Sequence, residues 1–308
     1  MTNGLKVEKE HFIYAFDKNT EPAVQVSPGS RLVIETYDCF QNQIQHADTT
    51  YSTIDWNRIN PATGPVYVES AEPGDILKVT IEQIDLGPQG VMATGPQLGI
   101  MGHRLNEFEV KIIPVQNGKA LFNDKLQLDL NPMIGVIGVA PEQEPVSCGT
   151  PGSHGGNMDT TLVTTGAVLY FPVYQPGALF ALGDLHAAMG DGEVGVSGIE
   201  IPAEVTVTLD VIKGQSIPYP FLENKDGLAV LVSKETLDEA AKSAVEIMAD
   251  TLLPHTDLSL GELTMLFSAV GQSQISQIVD PLMTARFFVP RQVLDAYNIQ
   301  LFNGSLAE

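Results

Sequence analysis

The chain reads as mainly β, a β-rich body followed by a C-terminal α+β portion. Three observations predict this. Apolar and polar residues alternate with period two over most of the first 220 residues. Pro-Gly pairs punctuate that region just before apolar runs. Helical periodicity arises only after about residue 235.

The alternation is clearest in "ILKVTIEQI" (76–84) and "EVTVTLDVI" (204–212). In the first, Leu77, Val79 and Ile81 alternate with Lys78, Thr80 and Glu82. Such a strand buries one face and wets the other. "RLVIETY" (31–37) and "EVKIIPV" (109–115) follow the same rule. "SPGSRLVIETYD" (27–38), "EPGDILKVTIEQI" (72–84) and "QPGALFALGDLH" (175–186) each place Pro-Gly before a strand, as a type II turn requires. Two of these units end on polar clusters, Asp38-Cys39 and Asp184-Leu185-His186.

Helices follow. Residues 235–252 place Leu237, Ala240, Ala241, Ala244, Val245, Met248 and Leu252 on one face. Ser259 and Glu262 are spaced as a capping box for a second helix running to about Gly271. "PRQVLDAY" (290–297) predicts a third, with Pro290 at its start. No low-complexity linker intervenes, and the chain divides into a body of 1–225 and a portion of 226–308 packed on it.

Composition narrows the function. The chain has 308 residues, 44% hydrophobic and 18% charged, enough for a sizeable core. A net charge of −22 repels phosphate, which excludes nucleic acid and anionic membrane as expected partners. Two distant cysteines, Cys39 and Cys148, form no disulfide framework and suit a reducing cytoplasm. The stretch "MTNGLKVEKEHFIYAF" has no apolar signal core, and no apolar window is long enough to span a bilayer.

Four stretches concentrate polar residues and glycine: 35–48, 60–75, 148–161 and 183–198. Asp184 and His186 are two apart, so a strand presents both on one face. Carboxylate and imidazole are ligand types that zinc accepts, although a simple His-Asp hydrogen bond reads equally from the pair. His154, Asn157 and Asp159 lie within "GSHGGNMD" (152–159), which reads either as a ligand-bearing loop or as an Asx-capped turn. "GDGE" (190–193) invites a calcium reading but lacks the EF-hand pattern. Glu193 there is either a general base or a surface carboxylate. Cys39 reads as a small buried thiol rather than a nucleophile. His11, His46, His103 and His255 read as structural or exposed, with His46 the one to watch. No nucleophile elbow, phosphate loop or GxGxxG fingerprint is present.

Five stretches together resemble the acetamidase/formamidase family. They are "DCFQNQI" (38–44), "NPATGPVYVESAEPGD" (60–75), "GSHGGNMD" (152–159), "GDLHAAMGDGEV" (183–194) and "SQIVDPLMTARFFVP" (276–290). The resemblance implies a jelly-roll-like β-sandwich body with an α+β C-terminal portion. It implies hydrolysis of short amides, formamide or acetamide, to a carboxylate and ammonia. It also implies a dimer-based homo-oligomer and a bound divalent metal, zinc as first choice and calcium as second. The chain departs from the family pattern at Gln41-Asn42, at Gly195 and Ser197, and in the segment before Ser276, all of which bear on pocket shape.

On the matched motifs, chemistry assigns His154, Asp184 and His186 as first choices for metal ligands, with Asp159 and Asp38 next. Glu193 is the candidate general base and acid, with Asp191 or Glu69 as substitutes. Asn157 and Asn60 are candidate donors to the carbonyl oxygen as it gains charge, with the N–H groups of Gly155-Gly156. Two other readings stand beside this one: a hydrolase of a larger or cyclic amide, and a non-catalytic calcium- or ligand-binding β-protein.

Overall fold

Two β-sheets pack face to face around the main core, and the larger takes strands from both sequence-predicted portions. The computed structural model describes residues 5–302, so the first four and last six residues of the two sequence-predicted portions lie outside the described residues. The larger sheet has nine strands, in the order Leu5–Val7, Ser30–Glu35, Ala203–Ile212, Ile76–Leu86, Val168–Pro172, Phe221–Asn224, Gly227–Lys234, Met283–Pro290 and Gln272–Gln277. The second sheet runs Gly155–Asn157, Met133–Gly138, Phe180–His186, Ala62–Val68 and Phe12–Ile13, with Val24–Val26 also paired to Ala62–Val68. Leu32, Ile34, Val79, Val207 and Phe171 from the first sheet meet Val66, Ile134, Ile137, Phe180 and Leu182 from the second. Gln89–Thr94, Glu109–Gln116, Lys119–Asn123 and Leu126–Asp129 form a separate four-stranded sheet.

The alternation predicted for 76–84 and 204–212 is realised as neighbouring antiparallel strands, paired Ile212 to Ile76 through Ala203 to Leu86. That long register carries the first of them two residues past its sequence-based end. Ser30–Glu35 stops earlier than predicted, because a turn begins at Asp38, whose Oδ1 accepts the Asn42 N–H at 2.7 Å. The Pro-Gly turns hold Gly29, Gly74 and Gly177 at φ 81°, 94° and 75°, the left-handed region that a type II turn demands of its third residue.

The helices cover the outer face of the large sheet. Leu237–Leu252 buries Ala240, Ala244, Met248 and Leu252 against strand residues such as Val230, Val232, Phe287 and Val289. Leu260–Val270 begins with the predicted capping box, Ser259 and Glu262 each bonding the other's backbone N–H. The third helix is Arg291–Ala296, with Pro290 as its cap residue. Among the described residues no helix is long and apolar enough to cross a membrane.

Two features position the site. Phe180–His186 lies inside the second sheet and is buried along its whole length. Gln272–Gln277 is an edge strand of the large sheet, and its end touches the turn after Phe180–His186. There the Gly192 N–H donates to the Ser276 carbonyl at 2.7 Å, and the Ile278 N–H donates to the Gly192 carbonyl at 3.2 Å. The central packing is expected to dominate stability. Phe180 is fully buried, and Phe180→Ala should cost about 3–5 kcal/mol, read as a lower denaturant midpoint with an unchanged m-value.

Candidate active site

His186 is the centre of the site. It ends Phe180–His186, backs onto Met133 of the next strand and is bridged on its other side to Glu200. Asp184, two residues earlier, sits with its Oδ1 at 3.4 Å from His186 Nε2. Asp159, just past Gly155–Asn157, comes to 3.9 Å of the same nitrogen. Glu193, from the turn after the strand, is also at 3.9 Å. Glu200 is closest, at 3.1 Å. Spacing along one strand pairs Asp184 with His186; only the fold adds Asp159, Glu193 and Glu200.

The backbone is shaped to make this meeting possible. Asp159, Asp184 and Glu193 have φ of 37°, 56° and 46°, a region that non-glycine residues rarely occupy. Asp184 does so within a strand. Such conformations cost on the order of 1–3 kcal/mol each and gather at functional sites. Close approach also demands small residues. A Cβ on Gly135 would collide with Asp159 Oδ1 and stand 2.7 Å from Asp184 Oδ2. A Cβ on Gly198 would stand 2.6 Å from the His186 ring. The turn bearing Glu193 is clamped by buried Arg286, which donates to Asp191 Oδ2 at 2.6 Å, the Ile275 carbonyl at 3.1 Å and Ser276 Oγ at 3.2 Å.

The electrostatics are dominated by like charge out of water. Burial, then the Asp184 charge, raises Asp159 to about 6. Burial, then the Asp159 charge, pushes Glu193 well above the carboxylate range. Burial raises Glu200 to about 8 against the pull of His186. Asp280 is forced well up by burial and by Asp159. For His186, burial opposes the charge, yet the Glu200 and Asp184 carboxylates carry its pKa well above the usual value. These groups are close but badly matched. The His186–Glu200 pair is in ionic contact without hydrogen-bond alignment. Both His186 nitrogens, both Asp159 oxygens, Asp184 Oδ1 and Glu200 Oε2 are buried with no hydrogen-bond partner. Unpaired buried polar atoms of this kind cost about 1–3 kcal/mol each, more when charged.

Donor atoms of Asp159, His186 and Glu193 lie within 4.8 Å of one another, as do those of Cys39, Asp184 and Glu200. A divalent cation would satisfy the orphaned atoms and offset the repulsion, so the residues fit one. The mixture of imidazole, carboxylate and thiol is a zinc-type donor set rather than an all-oxygen calcium set. Cys39 is buried, and burial with the Glu200 and Asp184 charges holds its thiol far up, as expected of a buried thiol rather than a nucleophile.

The remaining sequence candidates lie outside the two donor groups, although His154 Nε2 and Asn157 Oδ1 are likewise buried without a hydrogen-bond partner. His154 belongs to neither donor group. Its ring stands edge-on to Phe16 with centroids 5.2 Å apart, and burial lowers its pKa to about 4, which keeps it neutral. Asp38 is likewise outside both groups, although burial chiefly, with the Asp184 charge, raises it to about 6. Asn157 donates from Nδ2 to Asp280 Oδ2 at 3.1 Å, which ties it to the cluster's edge. The Asn60 N–H donates to the Cys39 carbonyl at 2.7 Å, and its side-chain amide faces Gly149. The Gly155 N–H is engaged by the Gly152 carbonyl at 3.2 Å. Glu69 is exposed and bonded to Gln25 and Ser27, away from the cluster. Asp191 is held by Arg286 and Thr161. His11, His46, His103 and His255 are exposed.

Sequence reasoning passed over Glu200 and Asp280. The one local signal for Glu200 was a carboxylate between isoleucines in "GIEIP" (198–202). Asp280 lay inside the quoted "SQIVD" without a role.

Comparison with known proteins places the chain as a whole. The model of the acetamidase/formamidase family matches residues 3–148 and 146–296. A crystal structure of a recombinant predicted acetamidase/formamidase from Thermoanaerobacter tengcongensis superposes with a TM-score of 0.95 at 50% identity, covering 97% of this chain and 99% of that one. The crystal structure of an acetamidase from Bacillus halodurans gives 0.94 at 43% identity, covering 96% and 100%. The chain spans between 61% and 66% of the length of the curated relatives it matches. One of them, the Mycolicibacterium smegmatis acetamidase, is 26% identical over 66% of each chain.

The buried carboxylates have a consequence for stability. Asp38 and Asp159 at about 6 and Glu200 at about 8 lie above their unfolded values of roughly 4. The metal-free folded state then binds more protons than the unfolded one. This contribution is complete below about pH 4 and is lost as pH rises through 6 to 8; raised His186 acts in the same direction. After chelation, Tm should therefore fall between about pH 5 and pH 8.5, and zinc added at the upper pH should restore it. Calorimetry showing a flat Tm over that range would contradict the charge accounting.

Proposed function

Because this chain belongs to the acetamidase/formamidase family, we propose that it hydrolyses carboxamides to carboxylate and ammonia at the His186 centre, with a divalent metal of the zinc type. One observation carries the reading: the buried carboxylates of Asp159, Asp184, Glu193 and Glu200 converge on a single imidazole, and both Asp159 oxygens, Asp184 Oδ1 and Glu200 Oε2 have no hydrogen-bond partner there. Asp159, Asp184, His186 and Glu200 would hold the metal, with Cys39 beside them. When bound, such an ion supplies Lewis acidity toward an amide carbonyl and toward water.

The chain's own residues supply the proton handling. Glu193 is buried in the cluster yet also lines a cleft, so it stands where substrate meets the centre. A buried carboxylate at the edge of the cleft is placed both to take and to return a proton. Glu193 accepts a proton from the attacking water as the oxygen bonds to the carbonyl carbon. It then delivers that proton to the leaving nitrogen as the C–N bond breaks, and ammonia departs. Asn157 has a second amide N–H beyond the one given to Asp280 and can donate it to the carbonyl oxygen as negative charge develops. Arg286 and the Gly192–Ser276 link hold the Glu193 turn at its distance from His186.

Ammonia release from an amide, measured before and after chelation and after zinc is restored, tests the reading. His186→Ala should lower metal content and turnover together while far-UV circular dichroism is preserved. Glu193→Gln should retain metal and slow turnover about 100- to 10,000-fold. Full turnover in the His186 variant would remove that residue from the mechanism.

A further inference from the structure

The cleft beside Glu193 is much larger and more apolar than formamide or acetamide needs. It has a volume of about 520 Å³. Met92, Phe122, Leu128, Met189 and Ile199 form its apolar wall, and open space lies beside Gly195. A second cavity of about 440 Å³ shares Met92, Phe122 and Val194 with it and continues past Met101 and Leu105. Clefts of roughly 300–1,000 Å³ enclose drug-sized molecules.

The polar side chains of the 520 Å³ cleft other than Glu193 are already engaged, Asp129 among them by Lys119. Ser197 Oγ donates to the Ala93 carbonyl at 3.0 Å and accepts the Ala93 N–H at 3.1 Å. Asp191 is taken up by Arg286 and Thr161. Glu193 is therefore the polar group through which the cleft meets the reaction centre. Val194, the next residue, is 57% exposed and extends the apolar wall toward the rim. Flexible methionines at both Met92 and Met189 let such a wall adapt to differently shaped apolar groups. An acetamide bound at Glu193 would leave nearly all of this surface in water.

We infer that the cleft receives the acyl chain of the amide, and that the substrate is a carboxamide with an apolar acyl group of about four to eight carbons. This rests on the hydrolytic reading of the His186 centre. Each methylene moved from water into the cleft strengthens binding by about fourfold. Hexanamide has four more methylenes than acetamide, and its kcat/KM should exceed that of acetamide by at least about tenfold.

The experiment measures ammonia release from formamide, acetamide, butyramide and hexanamide by the metal-loaded protein and by two cleft-filling variants, Met92→Trp and Leu128→Trp. In the variants the hexanamide-to-acetamide ratio should fall at least about tenfold. Saturation-transfer NMR of hexanamide and the oligomeric state are followed in parallel. Best turnover on formamide or acetamide overturns the cleft assignment and leaves the amidase reading standing. A ratio unmoved in both variants, or variants that change only the oligomeric state, also overturns it and gives the cleft to a second copy of the chain. Hexanamide that binds the wild type, is lost in Met92→Trp and releases no ammonia upholds the cleft and rejects the amidase reading.

Discussion

The constraint on which the structure depends is the burial of like charge around His186. Carboxylates avoid one another and avoid low dielectric, yet Asp159, Asp184, Glu193 and Glu200 are all buried within 3.9 Å of one imidazole nitrogen. One imidazolium cannot neutralise them, and their polar atoms do not satisfy each other. A pocket of this kind persists only if packing elsewhere holds it in place. The two sheets do this: the core between them is continuous and apolar, and the strand that carries Asp184 and His186 is the middle strand of its sheet.

Geometry is enforced from three directions. Gly135 and Gly198 leave out side chains that would push the ligand groups apart. Left-handed backbone at Asp159, Asp184 and Glu193 turns carboxylates toward the centre that regular extended chain would aim elsewhere. The C-terminal portion closes the arrangement. Arg286 grips the turn beside Glu193, Thr160 reaches Ser276 at 2.8 Å, and Asp280 receives Asn157. The helices of that portion stabilise the large sheet from outside, while its strands finish the site. The rigid acidic centre then meets a wide apolar cleft at one residue, Glu193. Centre and cleft answer different questions, which bond is cut and which molecule is brought to it.

Much of this protein was legible from residue order alone. Alternation, Pro-Gly turns and the Ser259–Glu262 capping box are local devices, and the strands and helices they predict are present. The same period-two rule singles out Asp184 and His186 as a pair, although left-handed backbone at Asp184 completes their meeting. Five spaced motifs identified the family. Tertiary structure decided what must meet across the chain. It brought Glu200 to His186 through an isolated bridge between distant segments, and it set His154 against Phe16, outside both donor groups. It drew Asp280 in from the turn that follows Gln272–Gln277, the edge strand of the other sheet. It also built the apolar cleft from residues as far apart as Met92 and Ile199. The division has one physical cause. Backbone period and turn chemistry are properties of neighbours in sequence, whereas burial, charge coupling and cavity shape depend on strand register and on packing between segments that the sequence keeps apart.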